Sequence, residues 1–384
     1  MSKKTCVARL VLLFLIVAVW AAPATAAKKV TVQELSAMLN SWYADKKTDE
    51  EISGQLKQME MREELILPVL NSYSKFNLGP LTIEQLTILQ YASELQPLSA
   101  PTEQVKPIPD DTDRKAILDR MDSYVSNVFS HVPDILVTKG TARFSDAPLS
   151  QIQDFRVSQG NGTLMGGTIR NVAGNYIRFH GITKVPMQVV DGVEKPISGK
   201  AGPANDPQGL IAWGQLGPIL RTVVSDTGKR STITWTRWDR INAIEVAVFD
   251  FNVDRKDSHY ELNYCCFPNY DLSGGHVGPA QTIVDWKPFK SSVSYHGQLY
   301  VEPRTGYVLR LILKADPKPS DFVHQETTRV DYVTQTIDGK NYLLPKNLVT
   351  LNNVVISGDG GGQSYTEVHS ILATEYFDFK LRPH

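Results

Sequence analysis

The chain has 384 residues, 42% of them hydrophobic and 21% charged, with a formal net charge of −1 and three cysteines. A chain of this size can bury a real core and suggests about two domains. The composition excludes a disulfide-knitted miniature fold. A near-balanced charge with no Lys/Arg-rich run argues against nucleic acid as a partner, because phosphate neutralisation needs clustered cations.

The N-terminus reads as an export signal. Lys3, Lys4 and Arg9 precede the apolar run Leu10–Ala22, and Ala24-Thr25-Ala26 places small residues at the cleavage-determining positions, so residues 1–26 form the expected signal peptide. The run falls short of the ~20 apolar residues that a spanning helix needs. No later segment approaches that length, so no membrane span is expected in the mature chain. Cys6 precedes the apolar run, whereas a lipid-anchoring cysteine would follow it. The mature protein is therefore expected free in the periplasm or outside the cell.

Residues 28–98 have helical periodicity. In "TVQELSAMLNSWYAD", Thr31 and Glu34 stand in capping-box spacing, and Leu35, Met38, Leu39 and Trp42 form one stripe. Thr48 and Glu51 repeat the start signal. "LTIEQLTILQYASEL" places Ile83, Leu86, Leu89 and Gln90 on one side, with Thr82 as the expected cap. These short helices suggest a small bundle or a partner-binding appendage. A proline-rich stretch at residues 96–111 reads as a linker. Residues 112–384 then form an antiparallel β domain with two covering helices, at 113–129 and 206–226.

Within that region the hydrophobic period changes from 3.6 to 2. Alternation runs through Thr232–Trp238 and Ala243–Phe251, and Tyr260, Leu262 and Tyr264 share one face. The segment "SYHGQLYVEPRTGYVLRLILKAD" reads as a hairpin turning at Glu302–Gly306, with Leu309, Leu311 and Leu313 opposite Arg310, Ile312 and Lys314. Asp338-Gly339 marks a second hairpin turn. Successive hairpins imply a meander. The fold class expected is α+β: a small helical region followed by a curved antiparallel sheet, half-barrel-like, with helices over it. The apolar helix at 206–226, set inside the meander, would close one open face.

The signals for chemistry are sparse. There is no His-Glu-x-x-His, no Gly-x-Ser-x-Gly elbow and no phosphate-binding glycine loop followed by lysine. Eight histidines lie without metal-ligand spacing, so no metal, cofactor or catalytic group is assigned. The mature chain keeps two adjacent cysteines, Cys265 and Cys266. Adjacent Cα atoms lie ~3.8 Å apart, closer than the usual disulfide span, so a bridge between them needs a distorted or cis peptide. An unbroken strand would instead point them to opposite faces. A vicinal disulfide, two separate thiols, and metal or intermolecular roles all remain open. His259 cannot serve as base to Cys265, because six strand residues span ~20 Å.

Several segments carry a family resemblance: "VPDILVTKGTARFSD", "WGQLGPILRTVVSD", "SHYELNYCCFP", "YHGQLYVEPRTGYVLRLILKAD" and "TTRVDYVTQTIDGKNYLLP". As a set they resemble a group of secreted bacterial proteins of unassigned function, from about residue 30 to the C-terminus. The β-rich half also resembles the periplasmic lipoprotein-carrier superfamily. That resemblance implies a strongly curved sheet closed by helices over an apolar cavity.

Two expectations follow. The first is a non-enzymatic exported protein that binds a lipid or other apolar ligand, lined by Leu210, Trp213, Leu216, Ile219 and Leu220 above and Leu309, Leu311 and Leu313 beneath. The alternative is a cell-envelope interaction module whose N-terminal helices dock a protein partner. An unrecognised hydrolase or redox enzyme ranks behind both.

Overall fold

A computed structural model of the chain describes residues 27–96, 107–127, 133–146, 177–190, 193–197, 209–210, 218–228, 233–241, 243–270, 284–357 and 365–382. The expected signal peptide, most of the linker, Trp213 and Leu216 lie outside these residues. The architecture is mixed α+β, built on an open ten-stranded antiparallel sheet. Among the described residues no helix is long and apolar enough to cross a membrane.

The N-terminal region opens with β1 (Lys28–Val30), which pairs in parallel with β2 (Met59–Met61). Helices α1 (Val32–Ala44) and α2 (Asp49–Leu56) both begin with the expected capping boxes, Thr31 with Glu34 and Thr48 with Glu51. Leu35, Leu39 and Trp42 of α1 pack with Ile52 and Leu56 of α2. A short α3 (Leu67–Ser72) leads to α4 (Pro80–Ser93).

Helix α4 departs from expectation at its start. Gly79 is its N-cap and Pro80 its first residue, a position where proline is tolerated because no N–H partner is needed there. The cap comes from another helix: the Asp49 carboxylate accepts from the Leu81 N–H at 3.0 Å and the Thr82 N–H at 2.8 Å. Thr82 is therefore buried instead of capping, and Ile83 is 52% exposed. Helix α4 is apolar on two sides. Leu86 and Leu89 join the helical core, whereas Ile88, Tyr91 and Ala92 pack with sheet residues Phe144, Val349, Ile371 and Ala373.

The large sheet has the order β5-β4-β3-β15-β14-β13-β12-β11-β8-β7. Its strands are β3 (Ile135–Ser145), β4 (Arg178–Val190), β5 (Val193–Pro196), β7 (Ile233–Ile241), β8 (Ile244–Val253), β11 (Ser294–Val301), β12 (Val308–Asp316), β13 (Val323–Ile337), β14 (Lys340–Ser357) and β15 (Tyr365–Leu381). The expected meander occupies β11 to β15. Both hairpin turns stand where the sequence places them. Asp338 and Gly339 have φ of 48° and 76°, and Gly306 has φ of 77°. At Gly306 a Cβ would lie 2.5 Å from the Arg120 carbonyl oxygen, so glycine is required by contact as well as by dihedral.

Helix α5 (Asp111–Asn127) begins two residues before its expected start, because the Asp110 carboxylate accepts from the Asp113 N–H at 2.8 Å. The helix expected over 206–226 is corrected more heavily. Gly209–Leu210 is a strand, β6, and α6 runs over Pro218–Thr227, while residues 206–208 and 211–217 of the expected helix lie outside the described residues. Strand β6 pairs with β9 (Glu261–Tyr270). With β10 (Val284–Ser292), these strands form a separate sheet, β10-β9-β6.

Strand β9 runs unbroken through Cys265 and Cys266 to Tyr270 and does not end at the pair. The register against β10 shifts between Lys287 and Phe289, opposite the two cysteines. Pro288 sits in that gap and has no N–H to give the ladder, the usual setting of a bulge.

Period 2 along each strand, carried across the printed registers, separates two faces of the large sheet. Face I carries Ile312, Arg310, Arg329, Asp331, Val349, Ile371, Ala373 and Phe144. Face II carries Leu311, Leu313, Thr328, Val330, Leu348, Thr350, Leu372, Thr374 and Thr141. Helix α4 meets face I. Side chains of α5 and α6, including Met121, Tyr124, Leu220 and Val223, join one apolar cluster with Phe249, Leu299, Leu311 and Leu313.

Candidate binding site

Strand β13 reads "VHQETTRVDYV", and Glu326 through Val330 are all buried. Such a polar strand would pass for a solvent-washed one in sequence. It is buried because both of its faces are occupied. On face I, Arg329 and Arg310 meet Glu64 and Asp331 in a buried ion cluster, with Arg329–Glu64 at 2.9 Å and Arg310–Asp331 at 2.6 Å. Arg329 also donates to the Glu94 backbone carbonyl at 2.6 Å. The N-terminal helical region is thus joined to the sheet by charge as well as by apolar contact.

On face II, a polar row crosses four strands. Glu326 stands opposite Asn352, Asn352 opposite Ser370, and Ser370 opposite Ser145. Glu326 is 3% exposed and Asn352 fully buried. Tyr260 donates its hydroxyl to Glu326 Oε1 at 2.9 Å, Ser370 Oγ donates to Asn352 Oδ1 at 2.5 Å, and Ser145 Oγ lies 2.9 Å from His180 Nε2. Two atoms of this row have no hydrogen-bond partner: Glu326 Oε2 and Asn352 Nδ2. Neighbouring rows continue the polar floor, with Thr328 bonded to Thr350 at 3.0 Å and Thr141 to Thr374 at 3.1 Å, all four buried.

The surroundings are apolar. Leu262, Tyr264, Val293, Ala315, Val323, Val354, Val368 and Leu372 form one cluster here, with Tyr260 and Phe289 against it. Loss of water disfavours a charge, so burial pushes the Glu326 carboxyl up to about 7; the Tyr260 and Thr328 hydroxyls oppose that rise. The Thr328 hydroxyl also pairs with the Thr350 hydroxyl. The Tyr260 hydroxyl is driven far above its ordinary range by burial and by the adjacent Glu326.

Beside this row, Asp226 at the end of α6 is 1% exposed at its side chain and accepts three hydrogen bonds: from Tyr295 Oη at 2.8 Å, the His259 N–H at 2.9 Å and His259 Nδ1 at 2.6 Å. The Tyr260 and Tyr295 rings lie 5.5 Å apart. This arrangement pins the segment entering β9 to α6. The Asp146 carboxylate holds His369 in the same way, through its N–H at 2.7 Å and Nδ1 at 2.8 Å. Two copies of one clamp mark it as structural.

Of the residues expected to line a cavity, Ile219, Leu220, Leu309, Leu311 and Leu313 are at most 6% exposed and pack in a single cluster. Leu210 stands apart from them in sequence and structure, on β6 opposite Tyr264. Among the described residues no group of three or more His, Cys, Asp or Glu side chains is placed to hold a metal. Sequence reasoning passed over Glu326 and Asn352 entirely. Each is a single polar residue in a strand, and only the pairing of β13 with β14 brings them together. No protein-family model, no curated protein and no solved structure matches this chain.

Proposed function

We propose that the mature chain is an exported, non-enzymatic protein that binds an apolar ligand bearing a polar group, on face II of the large sheet. In this reading the sheet is a half-barrel-like cradle, with α6 and the β10-β9-β6 sheet over its inner face. The observation that carries it is the buried pair Glu326 Oε2 and Asn352 Nδ2, each without a partner in an apolar setting. Leaving such an atom buried costs about 1–3 kcal/mol, and native folds pair nearly all of theirs. A ligand group that completes those bonds accounts for the arrangement, and the flanking Leu, Val and Tyr side chains suit its apolar remainder. The export signal in residues 1–26 fits a lipid or apolar ligand carried outside the cytoplasm.

The test is native mass spectrometry of the exported protein purified without detergent, beside a denatured intact mass. A lipid-sized adduct that leaves on denaturation is expected. A bare protein that also takes up no added medium-chain amide, ester or acid overturns the proposal.

A further inference from the structure

We infer that the β10-β9-β6 sheet is a flap that lifts from face II about a base at Tyr260 and Val293, and that proton loss from Glu326 beneath it favours the lifted state. The flap stands on the fold alone. On the ligand-binding reading above it would control access to the site, and because its test uses no ligand, either proposal can fail without the other.

Among the described residues, β6, β9 and β10 bond to one another and to no strand of the large sheet. Strand β10 runs into β11 through Val293 alone, and β9 is entered through Tyr260. The Val293 N–H donates to the Tyr260 carbonyl at 3.4 Å, so the two strands leave the large sheet at one point. Just before that point the Asp226 carboxylate anchors His259, and Tyr295 of β11 holds the same carboxylate. Beyond it Leu262 and Tyr264 share one face of β9, with Phe289 opposite Tyr264. These three pack with Val323, Val354, Val368 and Leu372 of the large sheet. The base is fixed by hydrogen bonds, whereas the body of the flap lies on the sheet through side-chain packing.

What the flap covers is not apolar throughout. Val354 and Leu372 stand two residues along from Asn352 and Ser370, so they flank the polar row. Glu326 meets the Tyr260 hydroxyl at the base and the Thr328 hydroxyl on its own strand. Strands β12 and β14 set Ala315 and Asn352 beside it. From the flap comes Tyr264, which burial pushes up to about 12 and so keeps neutral. None of these groups is a cation, and the His259–Asp226 pair lies farther out, past Tyr260 and Tyr295. Closed, the flap keeps water from Glu326 and favours its neutral form; lifted, it restores water and the ordinary carboxylate range. The closed state is therefore fully favoured below about pH 4.5 and loses that advantage as pH rises through about 7.

The experiment measures thiol labelling of Val354→Cys in the mature full chain, with Cys265→Ser and Cys266→Ser removing the native thiols and each rate corrected for the thiolate fraction. Val354 is 1% exposed, so its labelling reports opening; Val248 of β8, fully buried, reports global unfolding when replaced in the same way. Val354→Cys is expected to label at least ~10-fold faster than Val248→Cys, because local opening costs less than unfolding. Its corrected rate should rise about 30-fold from pH 5.5 to 8.5, the ratio that a fall from about 7 closed to 4.5 lifted sets by linkage. In Glu326→Gln that rise should drop below ~3-fold. Tyr260→Phe serves if that variant misfolds: the Tyr260 hydroxyl lowers the Glu326 value, so its loss should move the midpoint of the rise to higher pH. Equal labelling at the two sites overturns the flap. A rise that persists in Glu326→Gln, or keeps its midpoint in Tyr260→Phe, overturns the role of Glu326.

Discussion

Replacing Glu64 by glutamine removes one charge from the buried cluster on face I. The cluster holds two guanidiniums, Arg310 and Arg329, only 7% and 5% exposed at their side chains, against the carboxylates of Glu64 and Asp331. Nearby, burial pushes Glu94 up to about 7, with Arg329 pulling the other way. Below that value Glu94 is neutral and the wild-type cluster balances at two against two. Glu64→Gln then leaves one uncompensated buried cation, at a cost of about 3–5 kcal/mol. Above it Glu94 is ionised, so the wild type carries a surplus negative charge and the variant balances. Because Glu64 itself helps to raise Glu94, its loss lets Glu94 ionise at lower pH, so the destabilisation should be greatest at about pH 4.5 and below and shrink towards zero at pH 8.5. Urea unfolding monitored by tryptophan fluorescence measures it. Glu60→Gln is the control, because Lys29–Glu60 at 4.0 Å is an exposed pair worth about 0–1 kcal/mol. A loss below ~1 kcal/mol at pH 4.5, or an equal loss at pH 4.5 and 8.5, would refute the charge count.

Three further outcomes are expected. Asp49→Ala should cost about 1–2 kcal/mol, because α4 loses the carboxylate that caps two of its first N–H groups; a cost no larger than that of Glu50→Ala would show that the cap is idle. Gly297→Ala should cost about 3 kcal/mol or more, since a Cβ there would lie 1.9 Å from the Ile312 carbonyl oxygen and 2.8 Å from the Phe251 ring; an unchanged urea midpoint would refute that packing. Glu326 binds its proton more tightly folded, near pH 7, than unfolded, near 4.5, so its contribution is complete below about pH 4.5 and declines as pH rises through 7. The full loss is roughly 3 kcal/mol at most, and Glu326→Gln should flatten that part of the stability–pH curve.

Local signals set much of the architecture. The capping boxes at Thr31 and Thr48 hold because an N-cap needs only a side chain and an N–H three residues on. The turns at Glu302–Gly306 and Asp338-Gly339 depend on glycine tolerating positive φ. Strand period located β7, β8 and β11 to β15, because alternation is written along a strand. What crosses between strands and layers is not written there. The Asp49 cap on α4 reaches across more than thirty residues, and β3 becomes a neighbour of β15, with Ser145 opposite Ser370. Leu309, Leu311 and Leu313 announce their burial by apolar alternation, and the structure places them in one cluster with α5 and α6. Glu326 and Asn352 look like surface residues until two occupied faces bury their strands. Whether a polar side chain meets water or its cross-strand neighbour is decided by what packs over the sheet, and only the tertiary structure contains that.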